Sequence, residues 1–509
     1  MKLQDIDVAF CAARAAGGAS RQRIVDVITA SFGNLHADSG QATNIEVLRD
    51  PRSVIVIAGQ QTGLYGGPAY TLCKIKSAAV VARLITQQTG IPCLPVFWIE
   101  DNDHDAAEAM TSLLHNGVGT LTRIAPWNGS DPRLRVADRS LTAEEVAVIH
   151  ASSAMFTGRY SDLVKQRLHE AYAAGVSWTD AFIHVIAPYL SAWNVIPLRA
   201  SKLTESGLHG PLLEHLFGIN TELVSTMRNT TANIERNGDS SQASVVDVPW
   251  MYTSTTGRQR ILCNQADFTI ENSTYSKSAL VDLFRSHPER FTPTVLTRPL
   301  LQDALLPTVA SILGSAEMAY HRQLDDAYVC AGITQPFRIL RSGMTLTSAK
   351  VSRYISKSGH DIHWYSRPWT GIEHDLAQEL TSDVVPAVAD LQHQLDQLIE
   401  PYLHAASVID TTLIATVNAQ RAGITSALES LTGKLRSAGK KKHAAIIDRA
   451  RYVHSMVFPN DVLQERVFPL AMWEAEFGID ALIDLFDDID KQAIGQHITA
   501  GPPSSQEHA

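Results

Sequence analysis

The chain has 509 residues and a formal net charge of −10, with 45% hydrophobic and 19% charged residues. That length exceeds one hydrophobic core and suggests about three units; the acidic balance, with no basic stripe, speaks against nucleic acid as the main partner. No apolar run approaches roughly 18 residues and Met1 to Asp7 has no apolar signal core, which argues against a membrane and makes the cytoplasm the expected compartment.

Residues 1–50 read as packing helices, at Ala12 to Ala16 and Arg23 to Phe32. Ser53 to Ala58 is a run rich in β-branched residues ended by Gly59, the pattern of a parallel strand buried on both faces. Gly63, Gly66 and Gly67 then allow a tight turn, and Pro68 stands where a first helical residue would. The helix it opens carries Ile75, Ala79, Ala82 and Ile85 on one face and is stopped by Thr89, Gly90 and Pro92. Pro95 to Ile99 is the next strand. Strand, helix and strand in about 50 residues make a right-handed βαβ unit.

A glycine turn running into a helix presents free N–H groups and a positive dipole end, which suit a phosphate or carboxylate. Tyr70, Thr71 and Lys74 share one face there, and helical side chains lean towards the N-terminus, so Lys74 could reach the same anion. The spacing is neither that of a phosphate loop nor that of the dinucleotide fingerprint. Two readings stay open, an anion site and a packing turn with a solvent-facing lysine.

Asp101, Asn102, Asp103, His104 and Asp105 follow the second strand, where open α/β sheets bind ligands. A calcium loop fails on spacing, since its sixth position would be Ala106 and its twelfth Ser112. A transition-metal or magnesium site, a metal-free His–Asp pair for proton transfer, and a helix cap by Asp105 remain. The metal-free pair is preferred, and no metal is assigned. The five cysteines have no C-x-x-C spacing and imply neither disulfides nor a zinc ribbon. Cys73 reads as a small apolar helix residue.

An insertion begins near the Pro126 to Pro132 loop. Its expected helices are Ala143 to Ala154, Tyr160 to Ala174, Trp178 to Ala192 and Glu214 to Asn237. Asn194 to Leu198 could return to the sheet, and Val245 to Cys263 alternates as a hairpin around Thr256 and Gly257. Val295 to Asp303 brings the chain back to the core, and Pro307 opens a helix-like run to Ile312. Gly314 to Glu317 starts a helix that continues to Cys330. Glu317 either complements the helix dipole or, with Tyr320, binds substrate hydroxyls or an amine. Arg298 could grip a carboxylate with two prongs. Pro336 to Leu340 is the last strand, with Arg341 at its end.

From about Asp383 the pattern changes. Val384, Val388, Leu391, Leu395, Leu398, Tyr402, Ala405 and Ile409 step by four and three, a heptad seam tolerating Pro386 and Pro401 near starts or kinks. Leu413 to Leu435 continues it, Gly439 with three lysines marks a tip, and Ala444 to Val457 returns. Such an arm has little core of its own, so a homodimer through its seam is expected, with an intramolecular bundle as the alternative. The tail after Gly501 reads as disordered.

The stretches GQQTGLYGGPAYTLCK (59–74) and PVFWIEDNDHD (95–105) resemble the bacillithiol biosynthesis cysteine-adding enzymes. RPLLQD (298–303), Leu306 with Pro307, GSAE (314–317), Ala319 with Tyr320, and LQER (463–466) agree in order. Cys73 replaces an expected histidine, Asn102 an expected acid, and Ser315 with Ala316 an expected Pro-Gly. The resemblance implies a Rossmann-like α/β core of the class I synthetase or nucleotidylyltransferase type, interrupted by insertions and followed by a C-terminal α-helical coiled-coil arm. The expected division is 1–50 helical, 51–125 first half of the core, 126–290 insertion with a core strand near 194–198, 291–370 second half, 371–457 arm, and 458–509 C-terminal helices and tail.

The implied activity joins cysteine to the glucosamine amine of glucosaminyl malate, with ATP or another adenine nucleotide activating the carboxylate. His104, Asp103, Asp105 and Lys74 are the catalytic candidates. Gln60, Gln61, Gly63, Gly67, Tyr70, Thr71, Trp98, Arg298, Gln302, Asp303, Gly314, Glu317 and Tyr320 are candidate substrate or nucleotide contacts. A nucleotidyl-transfer enzyme of the same fold and a non-catalytic dimeric binding protein are the alternatives.

Overall fold

A computed structural model describes residues 3–117, 119–264, 267–382 and 388–501. The expected seam positions at 383–387 and the tail from 502 onward lie outside them. The chain forms two compact units. One comprises the segment up to Leu114, Leu121–Leu346 and the stretch from Glu465 on; the other comprises His115–Thr120 and Thr347–Gln464.

The first unit is built on five parallel strands: β1 (Val54–Gln61), β2 (Cys93–Glu100), β3 (Ile196–Arg199), β4 (Thr308–Leu313) and β5 (Phe337–Leu340). Their spatial order is β5-β4-β1-β2-β3. Ile57 pairs with Val96 on one side and Ser311 on the other. β1 and β2 are buried almost throughout, as expected of strands covered on both faces. The chain builds outward from β1 through β2 to β3, then returns to the opposite side of β1 for β4 and β5. The order reverses between β1 and β4, and the crevice beyond the carboxyl ends of the strands at that point is where such sheets bind ligands.

Two local expectations are corrected. β1 does not end at Gly59 but runs on to Gln61, paired residue by residue with β2. In the second half of the core, the run expected to be helix-like from Pro307 to Ile312 is a strand, Thr308–Leu313, and the returning stretch before it is a helix, Thr297–Leu305. The run from Thr308 to Leu313 is six residues long and wholly buried, which suits a strand between two neighbours; the helix places Arg298 and Gln302 one turn apart. Helices Val8–Ala16, Arg21–Ser31 and Ser39–Leu48 pack before β1. Arg14, from the first, donates to the carbonyls of Thr308 and Asp303, each at 2.7 Å, and so ties down the entry to β4.

The insertion contains helices Ala143–Ser153, Ser161–Ala171 and Trp178–Ala192, but the expected Glu214 helix is two, Gly210–Gly218 and Asn220–Arg236. The hairpin forms between Trp250–Ser254 and Gly257–Arg260, with Phe291–Pro293 as third strand. The helix expected from Glu317 to Cys330 is also broken, into Ser315–Arg322 and Asp325–Cys330. The C-terminal stretch rejoins this unit, where His497–Ala500 pairs in parallel with Gly343–Leu346.

In the second unit Val388–Ile409 and Leu413–Lys442 pack together and are linked by an Arg421–Asp396 ion pair of 2.6 Å. Gly439 is not a tip. The helix runs through it to Lys442, and a Cβ there would lie 2.3 Å from a Thr381 methyl, so the glycine permits a close approach. Of the expected seam, Leu395 is buried, whereas Leu398, Tyr402 and Ile409 are exposed. No helix among the described residues is long and apolar enough to cross a membrane.

Candidate active site

A cavity of about 870 Å³ lies beyond the carboxyl ends of β1, β2, β4 and β5. Seven lysines and arginines line it against four carboxylates, in a chain whose net charge is −10. Positive potential gathered in one concave place is an anion-attracting feature.

The inner wall is a set of buried charges that satisfy one another across the sheet. Lys74, 3% exposed, pairs with Glu317 at 2.7 Å and donates to the carbonyl of Gly59 at 2.6 Å and to Gln60 Oε1 at 2.9 Å. Glu317 also accepts the Gly314 N–H at 2.8 Å. This contact joins the end of β1 to the end of β4 across the switch point. Burial pushes the Lys74 ammonium below its usual range, with Glu317 opposing. Burial acts against the Glu317 charge as well, but Lys74 and the Gly314 N–H hold its carboxyl below the ordinary carboxylate range.

Arg298 donates to Tyr320 Oη and to Gln302 Oε1, both at 3.0 Å, and lies 5.8 Å from the centre of the Trp98 ring. Glu100, which accepts the Trp98 indole N–H at 2.9 Å, is 3.9 Å from Arg298 and is pushed up by burial. Arg341 is held by Glu465 and lies over the Tyr70 ring; its buried Nε has no partner among the described residues.

His104 lines the opposite side. Its Nδ1 is 3.5 Å from Asp103 Oδ1 and 3.4 Å from Arg258 Nη1. Asp103 accepts the amide of Gln61 at 2.6 Å and the backbone N–H of His104 at 2.7 Å. Burial first, then Arg258, push the imidazole below its ordinary value, with Asp103 opposing. The neutral imidazole is thereby favoured. Among the described residues no group of three or more His, Cys, Asp or Glu is placed to hold a metal.

Of the residues singled out from the sequence, the cavity gathers Gln60, Gln61, Tyr70, Lys74, Trp98, Asp103, His104, Arg298, Gly314, Glu317 and Tyr320. It does not gather Gly63, Gly67, Thr71, Asp105, Gln302 or Asp303. Gln302 and Asp303 stand behind Arg298, where Gln302 Nε2 donates to Asp303 Oδ1 at 2.8 Å. Asp105 caps the short Ala106–Ala109 helix. The glycine turn is closed by packing: the Ala69 N–H donates to the Phe468 carbonyl, and the Leu470 N–H to Gly67. A Cβ at Gly66 would lie 2.8 Å from a Val185 methyl. The helix start is thus covered, and Lys74 reaches the cavity from its second turn.

The residues that differ from the expected motifs fall mostly outside the cavity. Cys73 is fully buried with its sulfur 3.6 Å from Glu465, and burial and that carboxylate push its thiol up, so no thiolate is favoured. Asn102 is buried against Arg135 at 3.0 Å. Ala316 alone of them touches the cavity. Sequence reasoning missed Arg258, Arg260 and Glu100. The alternation of Arg258 and Arg260 in a hairpin strand was the available signal, since residues two apart share a face.

Residues 8–342 match the family model "Bacillithiol biosynthesis BshC, N-terminal Rossmann-like domain", and residues 344–499 match "Bacillithiol biosynthesis BshC, C-terminal coiled-coil domain". Relatives that bear the name "Putative cysteine ligase BshC" match nearly the whole chain, among them three from different organisms. The protein from Salinibacter ruber is 26% identical over 477 residues, covering 92% of this chain and 86% of the relative. That from Chlorobaculum tepidum is 29% identical over 487 residues, with 90% and 84% covered. That from a Geobacillus species is 24% identical over 491 residues, with 94% and 90% covered.

Proposed function

The chain belongs to the BshC family of bacillithiol biosynthesis, and from that premise we propose that it is a cysteine ligase of the cytoplasm that joins cysteine to the glucosamine amine of glucosaminyl malate, with ATP or another adenine nucleotide as the activating substrate. A free carboxylate is a poor acyl donor. Its oxygen first attacks a phosphorus of the nucleotide and breaks a phosphoanhydride P–O bond, displacing ADP to leave an acyl phosphate or pyrophosphate to leave an acyl adenylate. The amine nitrogen then attacks the acyl carbon; the C–N bond forms, the C–O bond to phosphorus breaks, the phosphate departs with the electron pair, and the amine gives up a proton.

The observation that carries this reading is the cationic cavity at the switch point of the sheet. Two of the three proposed substrates bring malate carboxylates and phosphates, and the wall offers Lys74, Arg298, Tyr320 and the unpartnered Nε of Arg341. An orphaned buried donor is costly unless something accepts from it, which favours an anionic ligand at that wall. His104, set beside Asp103 and Arg258, handles proton movement or polarises the transferring group.

Purified protein incubated with glucosaminyl malate, cysteine and ATP, each omitted in turn, tests this by mass spectrometry. The expected result is a product heavier by one cysteinyl residue only in the complete mixture, and turnover lowered about 10²–10⁴-fold by His104→Ala. Undiminished turnover in that variant, or product without nucleotide, overturns the corresponding part. The exposed Leu398, Tyr402 and Ile409 support a homodimer through the coiled coil. A monomeric mass by light scattering would refute it.

A further inference from the structure

We infer that Arg258, on the hairpin strand Gly257–Arg260 of the insertion, is a positioning residue that fixes His104 as the neutral tautomer carrying its proton on Nε2, so that His104 meets a substrate as a hydrogen-bond donor. The role in catalysis rests on the reading of the cavity as an active site. The tautomer itself does not.

The argument starts from what each neighbour can do. A guanidinium only donates hydrogen bonds. Arg258 Nη1 stands 3.4 Å from His104 Nδ1 in hydrogen-bonding geometry, so Nδ1 must offer its lone pair and the ring proton must sit on Nε2. Asp103 Oδ1 is at a similar 3.5 Å and would by itself favour the proton on Nδ1. Its oxygens are already engaged: Oδ1 accepts the backbone N–H groups of His104 and Asp105, and Oδ2 accepts the Gln61 amide.

Arg258 is also held in place. Its side chain is only 10% exposed, its Nε donates to Thr292 Oγ1 at 2.9 Å, its Nη2 to the Pro293 carbonyl, and its own N–H to the Arg133 carbonyl at 2.7 Å. A Cβ on Gly257 would lie 2.5 Å from the Arg133 backbone, so the hairpin is pinned at this point. The nitrogen that faces the imidazole and Asp103 is Nη1. The other charged groups that act on the ring are Asp105, which favours its protonation, and Arg139, which opposes it.

The consequence for the chemistry is directional. An Asp-His sequence suggests a base whose free Nε2 accepts a proton, as in a triad. Here a third, cationic partner at Nδ1 reverses that assignment. Nε2 then donates to an oxygen gathering negative charge, at the tetrahedral centre or on the departing phosphate, rather than receiving the amine proton.

Long-range nitrogen–proton correlation spectra of full-length protein labelled in histidine test this without any substrate, with the His104 signal identified by its loss in His104→Asn. The expected spectrum at neutral pH has Nε2 protonated and Nδ1 bare, with a titration midpoint below 6.5. Arg258→Met should move the proton to Nδ1, facing Asp103, and raise the midpoint by about 1 unit. Arg258→Lys, which keeps the charge, should leave the midpoint low. An Nδ1-protonated ring in the unmodified protein overturns the inference, whether or not the variants fold. So does an unchanged midpoint in a folded Arg258→Met protein. Absence of ligase turnover with an Nε2-protonated His104 would instead sink the activity and leave this assignment standing.

Discussion

The inner wall of the cavity and its rim both carry cations, but they hold them in opposite ways. Lys74 and Arg341 are buried, Arg298 is mostly covered, and they meet Glu317, Glu465 and Glu100 respectively. Arg133, Arg260 and Arg466 are exposed, and the carboxylate on which Arg133 acts, Glu271, is itself at the surface. Buried charge is tolerable only with a partner, so the inner wall is preorganised and bound up with folding. Exposed charge costs little, and what it contributes is screened attraction for an arriving anion. The same residue types therefore serve shape in one place and capture in the other.

The sharpest break in that comparison is Lys74→Met. Leaving Glu317 without its buried partner should cost about 3–5 kcal/mol of stability in denaturant unfolding. Adding Glu317→Leu to the same chain should recover most of it while activity stays lost. If the single variant is as stable as the parent, the pair is not what holds the wall together. Arg298→Lys comes next: a lysine cannot reach Tyr320 and Gln302 together, and substrate affinity measured by calorimetry should fall at least about tenfold with the fold intact.

The third test is pH. The Glu317 carboxyl lies below its ordinary value of 4.5 in the folded protein, so the folded state binds fewer protons there than the unfolded chain. Its stabilisation is complete above 4.5 and is lost as pH falls through the folded value. Lys74 gives the same sign of slope at the alkaline end: its lowered value means that the folded state again binds fewer protons, so a cost carried at lower pH is relieved as pH rises towards 10.5. Unfolding curves should steepen in acid for the parent protein and flatten for Glu317→Gln. The smallest effect belongs to the rim. Arg133→Ala or Arg260→Ala should weaken substrate binding only about two- to fivefold, with stability unchanged and a reduced dependence on salt.

The path between the expected and observed site shows which residues local pattern could place. Lys74, Asp103, His104, Arg298, Glu317 and Tyr320 all sit in motifs that follow core strands or open helices, and the sheet brings those ends together. Gly63, Gly67 and Thr71 were equally prominent in the sequence, yet Phe468 and Leu470, some 400 residues on, cover the backbone that would have bound an anion. The run after Pro307 reads as a helix because six residues, four of them apolar, satisfy either period until their neighbours are known.

The sequence by itself determined the backbone alternatives. A run of β-branched residues specified β1 and a short apolar run specified β2, glycines and proline closed the turn after β1, and the charge-dense end of β2 marked the candidate site. Only the tertiary structure decided who faces whom. The Lys74–Glu317 pair, the Arg258–His104 contact and the closure of the glycine turn each join residues far apart in the chain. Their meeting depends on strand order and register, and one parallel crossover in another place would have separated them all. Local pattern constrains dihedral angles over a few residues, while burial and electrostatic partnership are set by the fold as a whole.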